Sequence, residues 1–314
     1  MNSQIEVSII IPVRNSEKFL SPCLFSAVSQ DFSLPYEVII INNGSTDNSR
    51  EIVGKYTKKH KNVRHIVTDG LSVGFARKRG IEEAKGKYIC FLDSDDMYKL
   101  SFVKKMYEKI TQNDADIVNC SFVKINPNGR ISRNVLAKKK TLNRIQGVRS
   151  LLRDFNIRGY MPMKMYRSEL IKNTKLPVSS KLIMFEDFLI NFALYAKANK
   201  SITLTEPLYF YRRTNESATT NLSSDRTDLH LKCFAAVRYL AEQTGDELII
   251  KEFFRRGFRY WLSIFADVFF SVKVNEKPFL LELHRAEKIK RVILNKKVFP
   301  IQGMPWEQLI SEIQ

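Results

Sequence analysis

Three strongly apolar runs in the first third of the chain each end in a cluster of polar residues, and this repeated ending restricts the fold more than any other feature. Residues 7–13 end in Pro12-Val13-Arg14-Asn15, residues 37–41 in Asn42-Asn43-Gly44-Ser45-Thr46-Asp47, and residues 88–92 in Asp93-Ser94-Asp95-Asp96. Short apolar runs bounded by turn residues read as buried strands. Between them the pattern turns helical. Residues 17–30 place Phe19, Leu20, Leu24, Ala27 and Val28 at helical spacing, with Ser16 as the expected cap. Residues 45–59, 75–84 and 100–111 read as further helices, and residues 116–123 as another strand. Strands alternating with helices give an α/β fold with a parallel sheet, whose ligands sit beyond the carboxyl ends of the strands.

The third ending carries the strongest chemistry. Three acids in four residues repel one another unless a cation or hydroxyl donors occupy the position. Their hard oxygens suit magnesium or manganese, with a diphosphate supplying the remaining ligands. A plainer reading is also open: a solvated turn in which Asp95 or Asp96 caps the following helix.

Four segments in order, Ile10-Ile11-Pro12-Val13-Arg14-Asn15, Ile41 to Asp47, Ala76-Arg77-Lys78-Arg79-Gly80 and Gly86 to Asp96, resemble the successive signatures of family 2 glycosyltransferases of the GT-A fold. A looser likeness to bacterial members that build surface polysaccharides continues through residues 163–167, 185–187 and 206–212. The resemblance implies a Rossmann-like nucleotide-binding sheet flanked by helices, with a C-terminal helical region. Its division would be a nucleotide-sugar half over residues 1–115, an acceptor half over 116–222 and a helical stretch over 223–314. It implies an inverting hexosyl- or N-acetylhexosaminyltransferase that uses a UDP-sugar, a manganese or magnesium ion, and a cell-envelope glycan or lipid-linked acceptor.

Residue by residue, the resemblance puts Pro12, Arg14 and Asn15 along the nucleoside, Asn43 at the base edge, and Gly44 and Ser45 beside it. Arg77 falls near the base or phosphates, Asp93 near the ribose with Ser94 in the same loop, Asp95 on the metal, and Asp187 at the catalytic base. The chemistry of the reaction independently asks for a carboxylate on the acceptor side, remote in sequence from the metal motif. Glu186-Asp187 supplies one, although acids complementing a helix N-terminus would look the same. Two positions depart from the family pattern. Asn42 and Asn43 stand where at least one Asp is usual, and an asparagine both donates and accepts, so the base preference stays open. Arg14 replaces an aromatic, as either a phosphate contact or a surface substitution.

Charge divides the chain. It carries 51 Lys and Arg against 33 Asp and Glu, a net of +18, yet residues 1–116 hold 17 basic and 15 acidic side chains. Nearly all the excess therefore lies beyond residue 116, and residues 117–153 contain nine basic residues and no acid. Such a field attracts anionic membrane, polyanionic substrate or nucleic acid. Residues 130–153 read either as a seat for a phosphate-bearing acceptor or as a solvated basic face. Residues 248–272 form a basic amphipathic stretch with an apolar stripe through Ile250, Phe254 and Trp261, which reads as core, an oligomer seam or a membrane-surface helix.

Competing functions fare less well. A nucleotidyltransferase would want a glycine-rich basic loop after the first strand, a P-loop enzyme its Lys-Ser or Lys-Thr ending, and a nucleic-acid binder a recognised motif. The nucleotide half is nearly neutral, so no nucleic-acid partner is expected. Four scattered cysteines support neither a disulfide framework nor a zinc site, and no histidine is assigned as a ligand, with His60 and His65 expected to be solvated. These features fit a cytoplasmic enzyme, peripheral on the inner membrane face if the basic surface meets lipid.

Overall fold

The computed structural model describes residues 4–70, 72–153, 159–179, 185–213 and 226–256. The first four strands alternate with helices: β1 (Val7–Val13), α1 (Glu17–Val28), β2 (Tyr36–Asn43), α2 (Ser49–Lys59), β3 (Val63–Thr68), α3 (Val73–Glu83) and β4 (Tyr88–Phe91). There follow β5 (Met97–Tyr98), α4 (Phe102–Gln112), β6 (Ile117–Ile125), β7 (Ile131–Val135), β8 (Lys140–Asn143) and α5 (Arg144–Arg153). The remaining elements are β9 (Lys164–Arg167), α6 (Ser168–Lys172), α7 (Glu186–Lys197), β10 (Lys200–Arg212) and α8 (Arg226–Gln243), with residues 247–256 again helical.

One ten-stranded sheet spans the described chain in the order β3-β2-β1-β4-β9-β6-β10-β5, with β7 paired to β6 and β8 to β10. The expected parallel arrangement holds for β3, β2, β1 and β4 and again for β6 with β10. It fails at β9, which runs antiparallel to both β4 and β6. Two successive reversals leave β6 and β10 pointing the same way as β1, β2 and β4. The carboxyl ends of all these strands therefore share one rim.

Residues along β1 alternate between two apolar layers. Val7, Ile9, Ile11 and Val13 pack with α1, α2 and α4, while Ile10 packs with α3, α5, α7 and α8. Both faces are covered, which is why β1 and β2 read as unbroken hydrophobic runs. By contrast β3 gives a weak signal in the sequence, because its Val-Arg-His-Ile-Val-Thr pattern belongs to a half-exposed edge. Arg64 on that edge pairs with Glu37 and Glu83, at 3.0 and 2.8 Å. His65 is only partly exposed, and burial followed by the Arg50 charge lowers its pKa, which corrects the expectation of a solvated ring.

The helical stretch near the end of the described chain buries Ile249 and Phe253, and Phe253 meets Phe254 edge to face with ring centroids 5.5 Å apart. For residues 248–256 the core reading therefore holds, although the buried pair sits one residue before the expected stripe. Residues 257–272 lie outside the described residues. Among the described residues no helix is long and apolar enough to cross a membrane. All four cysteines are buried and unpaired.

At the opposite rim, Gly86 leads into β4 with its backbone against β1. A Cβ there would come within 2.6 Å of the Ser8 amide nitrogen, and Gly86 itself donates to Ser8 Oγ at 2.9 Å. A Cβ on Gly54, inside α2, would meet nothing within 4 Å. Gly86→Ala is expected to cost about 1–3 kcal/mol or more by overpacking against backbone. Gly54→Ala is expected to stabilise by roughly 0.5–1 kcal/mol through helix propensity. Urea unfolding midpoints of the two variants should therefore move in opposite directions.

Candidate active site

The polar ends of β1 and β2 bind each other across the rim. Glu17 N donates to Asp47 Oδ2 at 2.9 Å, and Asn48 N donates to Glu17 Oε2 at 3.0 Å, so each helix start is capped from the other segment. Ser49 N donates to Asp47 Oδ1 at 3.0 Å. Burial works against ionising Asp47, but the hydrogen bonds from Ser49 and Glu17 outweigh it and hold the carboxyl below its ordinary range. Ser16 was expected to cap α1. Its hydroxyl instead meets Arg14 O and, at 2.6 Å, Ser94 Oγ, which ties β1's end to the carboxylate loop. The second helix begins at Ser49 rather than residue 45, because Asn42 Oδ1 accepts from Ser45 N at 3.1 Å and turns the chain first.

Asn15 occupies a left-handed conformation at φ 48°, one that asparagine tolerates. Its side-chain Oδ1 accepts from Thr46 N at 2.8 Å, and the Asn15 backbone N–H donates to Ser45 Oγ at 3.2 Å. Gly44 has φ 70°, and a Cβ on it would sit 2.9 Å from Gly70 Cα. Two glycine backbones thus touch at this point of the rim, which no side chain could permit. Asn43 is buried, and its Oδ1 accepts the Thr68 hydroxyl at 2.9 Å. Arg14 is exposed, and its guanidinium reaches Gly70 O at 3.5 Å. Pro12, inside β1, is paired with Ile41 in β2.

The three acids of the third ending have separate fates. Asp96 is 1% exposed; Tyr209 donates to it at 2.6 Å and the Arg212 amide at 2.6 Å. It therefore neither lies in a solvated turn nor caps a helix. Burial, then the charges of Asp95 and Asp93, push its pKa well above the usual carboxylate range. Arg212 also donates from Nε to Asp95 O at 2.9 Å and from Nη1 to Pro127 O at 2.8 Å, with its guanidinium 4.7 Å from the Phe19 ring centre. Asp95 keeps a partly exposed side chain, and burial with the Asp93 charge raises its pKa to about 6. Asp93 accepts from Arg77 Nη2 at 2.8 Å.

Arg77 brings the remote acid to this loop. On α3 it is 3% exposed, and its Nη1 donates to Asp187 Oδ1 at 2.5 Å and lies 3.6 Å from Glu186 Oε1. Glu186 and Asp187 open α7, directly after Phe185, whose φ of 70° turns the chain into the helix. Asp187 Oδ2 accepts from Met161 N at 2.8 Å. Burial raises the Glu186 pKa to about 7, with Asp187 adding to it and Arg77 opposing. Burial also raises that of Asp187, and Arg77 opposes it there as well.

Asn15, Ser45, Ser94, Asp93, Arg77 and Asp187 are thus joined through one rim, with Gly44 and Asn43 beside them. Tyr209 and Arg212 were not anticipated as site residues. Both lie in residues 206–212 of the looser family likeness, but the Tyr-Phe-Tyr-Arg ending of β10 carries no periodic signal for a role in the carboxylate loop. Farther out, Arg130, Arg133, Lys138, Lys139 and Lys140 are exposed on and around β7. Arg144 and Arg149 of the same acid-free stretch are paired with Asp246 at 2.5 Å and Glu252 at 2.7 Å.

Known proteins resemble this chain in sequence and in fold. The sequence profile described as glycosyl transferase family 2 matches residues 8–174. The chain is 31% identical over 235 residues to the uncharacterized glycosyltransferase EpsJ of Bacillus subtilis, covering 72% of this chain and 66% of EpsJ. It is 27% identical over 281 residues to the poly(ribitol-phosphate) β-N-acetylglucosaminyltransferase TarS of Staphylococcus aureus, covering 87% of this chain and 48% of TarS. The chain thus spans about half to two thirds of these relatives. The crystal structure of TarS residues 1–349 in complex with UDP-GlcNAc superposes with a TM-score of 0.73 at 22% identity, covering 92% of this chain and 82% of that one. The shared architecture is the GT-A fold.

A buried carboxyl with a raised pKa makes stability depend on pH with a definite sign. Glu186 has a folded-state value of about 7 against 4.5 for the free side chain, so its stabilising contribution is complete below about 4.5 and is lost as pH rises through 7. Asp95 has the same sign over a lower window, from 3.8 to about 6. Urea midpoints measured in a chelator should fall from pH 5 to pH 8, and Glu186→Gln should flatten the upper part of that fall. An unchanged slope in the variant would contradict the assignment.

Proposed function

Since the chain belongs to glycosyl transferase family 2, we propose that it transfers a sugar from a nucleoside-diphosphate donor, with UDP as the nucleotide, to a hydroxyl of a cell-envelope glycan or lipid-linked acceptor, with inversion at the anomeric carbon. One observation carries this reading: Arg77 joins Asp93 of the strand-end carboxylate loop to Asp187 on a separate element. The contact supports a donor loop and an acceptor-side carboxylate working side by side. The name of TarS, a poly(ribitol-phosphate) N-acetylglucosaminyltransferase, supports an N-acetylhexosamine donor and a phosphate-rich acceptor. The proposed division keeps a nucleotide half over residues 1–115, an acceptor half over 116–222 and a helical stretch over 223–314.

In this reading Pro12, Arg14 and Asn15 border the nucleoside. Asn43, Gly44 and Ser45 form the wall at the base, while Asp93 and Ser94 face the ribose. Asp187 takes the proton from the acceptor hydroxyl as the oxygen attacks the anomeric carbon. The bond from that carbon to the β-phosphate oxygen breaks on the opposite face, and the diphosphate leaves with the electron pair. Partial burial of Asp187 raises its basicity, and its bond from Met161 N fixes the direction in which it can accept.

Asp95 fits a divalent cation. Its carboxylate is partly exposed at the rim beside Asp93, and burial, followed by the Asp93 charge, raises its pKa to about 6. No group of three His, Cys, Asp or Glu side chains among the described residues is arranged to hold a metal, so the donor's diphosphate would supply the remaining oxygens. A bound cation offsets charge growing on the leaving diphosphate. The exposed basic residues of β7 and after it face a phosphate-bearing acceptor or anionic lipid, and the enzyme is proposed to work in the cytoplasm at the membrane's inner surface.

A panel of nucleotide sugars with a manganese salt should show one donor hydrolysed well above the rest, and an even response would remove the reading. Asp95→Ala should abolish turnover and manganese dependence without unfolding the chain. Asp187→Asn should reduce transfer by about 10²- to 10⁴-fold while donor binding survives. Sedimentation with anionic vesicles should weaken steeply with salt, since surface attraction fades within about one Debye length. Equal partitioning onto neutral vesicles would exclude the electrostatic contribution.

A further inference from the structure

We infer that Arg77 is a positioning residue and not a nucleotide ligand: its two terminal nitrogens hold Asp93 of the donor loop and Asp187 of α7 in one fixed relation, and its charge keeps Asp187 able to accept a proton. The inference rests on the proposed transfer reaction and assigns the part that links its two sides.

The geometry leaves Arg77 little freedom for another partner. The side chain is 3% exposed, with Nη2 2.8 Å from Asp93 Oδ1 and Nη1 2.5 Å from Asp187 Oδ1. At 3% exposure the guanidinium is shielded from a nucleotide arriving at the rim, and each carboxylate takes one of its terminal N–H groups. Arg77 Nε, itself buried, has no hydrogen-bond partner among the described residues, so the side chain's hydrogen bonds there are the two-carboxylate fork. A planar guanidinium can serve two separate carboxylates at once, whereas a lysine ammonium is a single point on a flexible stem.

The helix beneath is equally constrained. A Cβ on Gly80, one turn along α3, would come within 2.4 Å of Ile10 Cγ2 in β1, so α3 lies directly on the sheet. At the start of α3, a Cβ on Gly74 would be 3.8 Å from Glu186 Cγ, which places the first turns of α3 and α7 side by side. Arg77 therefore projects from a backbone that cannot drift, toward a helix start that is already adjacent.

Charge balance supplies the second argument. Asp93, Glu186 and Asp187 surround one guanidinium. The other groups that act on Asp187 are Lys164, Tyr160 and Tyr166. Lys164 is fully buried on β9, with its ammonium donating to the Tyr160 carbonyl. Tyr166 donates to Asn191 at 2.9 Å. Asp93 and Glu186 disfavour further negative charge here, and Arg77 is the cation in direct contact with both Asp93 and Asp187. Without it, Asp187 would hold its proton to higher pH and lose its tether to the donor loop.

Arg77→Met and Arg77→Lys separate charge from geometry. For each, kcat and donor KM would be measured from pH 5 to 9, and UDP binding by calorimetry, with GDP and CDP as controls. Arg77→Met should lower kcat by about tenfold or more and move the acidic limb of the kcat profile to higher pH, with UDP affinity kept within roughly threefold. Arg77→Lys should keep the acidic limb near its wild-type position and still lose kcat. A loss of UDP affinity beyond about tenfold with an unmoved pH profile would make Arg77 a nucleotide ligand and overturn the inference.

A readout independent of turnover is the urea midpoint at pH 8. Arg77→Met should lower it, and adding Asp187→Asn should recover part of the loss by removing an unpaired buried charge. No recovery in the double variant would also overturn the inference, and if Arg77→Met does not fold, Arg77→Lys with and without Asp187→Asn gives the same comparison. If the wild-type protein turns over no nucleotide sugar, the transfer reading fails, while the stability arm still decides whether Arg77 balances these carboxylates.

Discussion

Three carboxylates within four residues, at the mouth of an apolar strand, repel one another, and much of the structure around the rim consists of the means by which each is kept. Asp96 is taken into the interior and saturated by Tyr209 and the Arg212 amide. Asp93 is matched with Arg77. Of the three, Asp95 keeps a carboxylate at the rim that pairs with no Lys or Arg among the described residues, since Arg212 reaches only its carbonyl. The loop's shape follows from this sorting. A side chain free to meet a cation exists because its two neighbours are held elsewhere, by β10 on one side and α3 on the other.

The same economy governs the other strand ends. Their loops are stabilised chiefly by one another: the capping acid of α1 comes from the segment after β2, and that of Asn48 comes from α1. In the proposed reading, a nucleotide approaching this edge would meet backbone amides and short polar side chains whose positions are set by three strands together. Such a surface needs little rearrangement on binding, which lowers the ordering cost that a looser loop would incur.

Strands β1, β2 and β4 and helices α1, α3 and α4 were legible because each presents an unmixed apolar pattern over a length suited to its period. The strand ends and the Asp93, Asp95 and Asp187 carboxylates followed from that reading and from the family resemblance. What stayed hidden was of two kinds. Edge and short strands such as β3, β5, β7 and β8 are half-exposed or only a few residues long, so polar and apolar residues mix without period. Partnerships across the chain were equally invisible: Asp96 meets Tyr209 and Arg212 at separations of 113 and 116 residues. Nothing local in Asp-Ser-Asp-Asp distinguishes the acid that will be buried from the one that will stay at the rim.

The placement of β9 has a consequence for how the chain comes off the ribosome. Strand β4 has β1 on one edge and needs β9, which lies more than seventy residues later, on the other. At about 5–20 residues per second, the open edge of Tyr-Ile-Cys-Phe waits roughly 4–15 s for its neighbour. During that interval the nascent sheet exposes unpaired backbone beside a fully apolar strand, the arrangement most prone to pairing with another chain. Synthesis of this protein therefore passes through a vulnerable stage fixed by strand order alone, and chaperone demand should be concentrated there rather than at the finished fold.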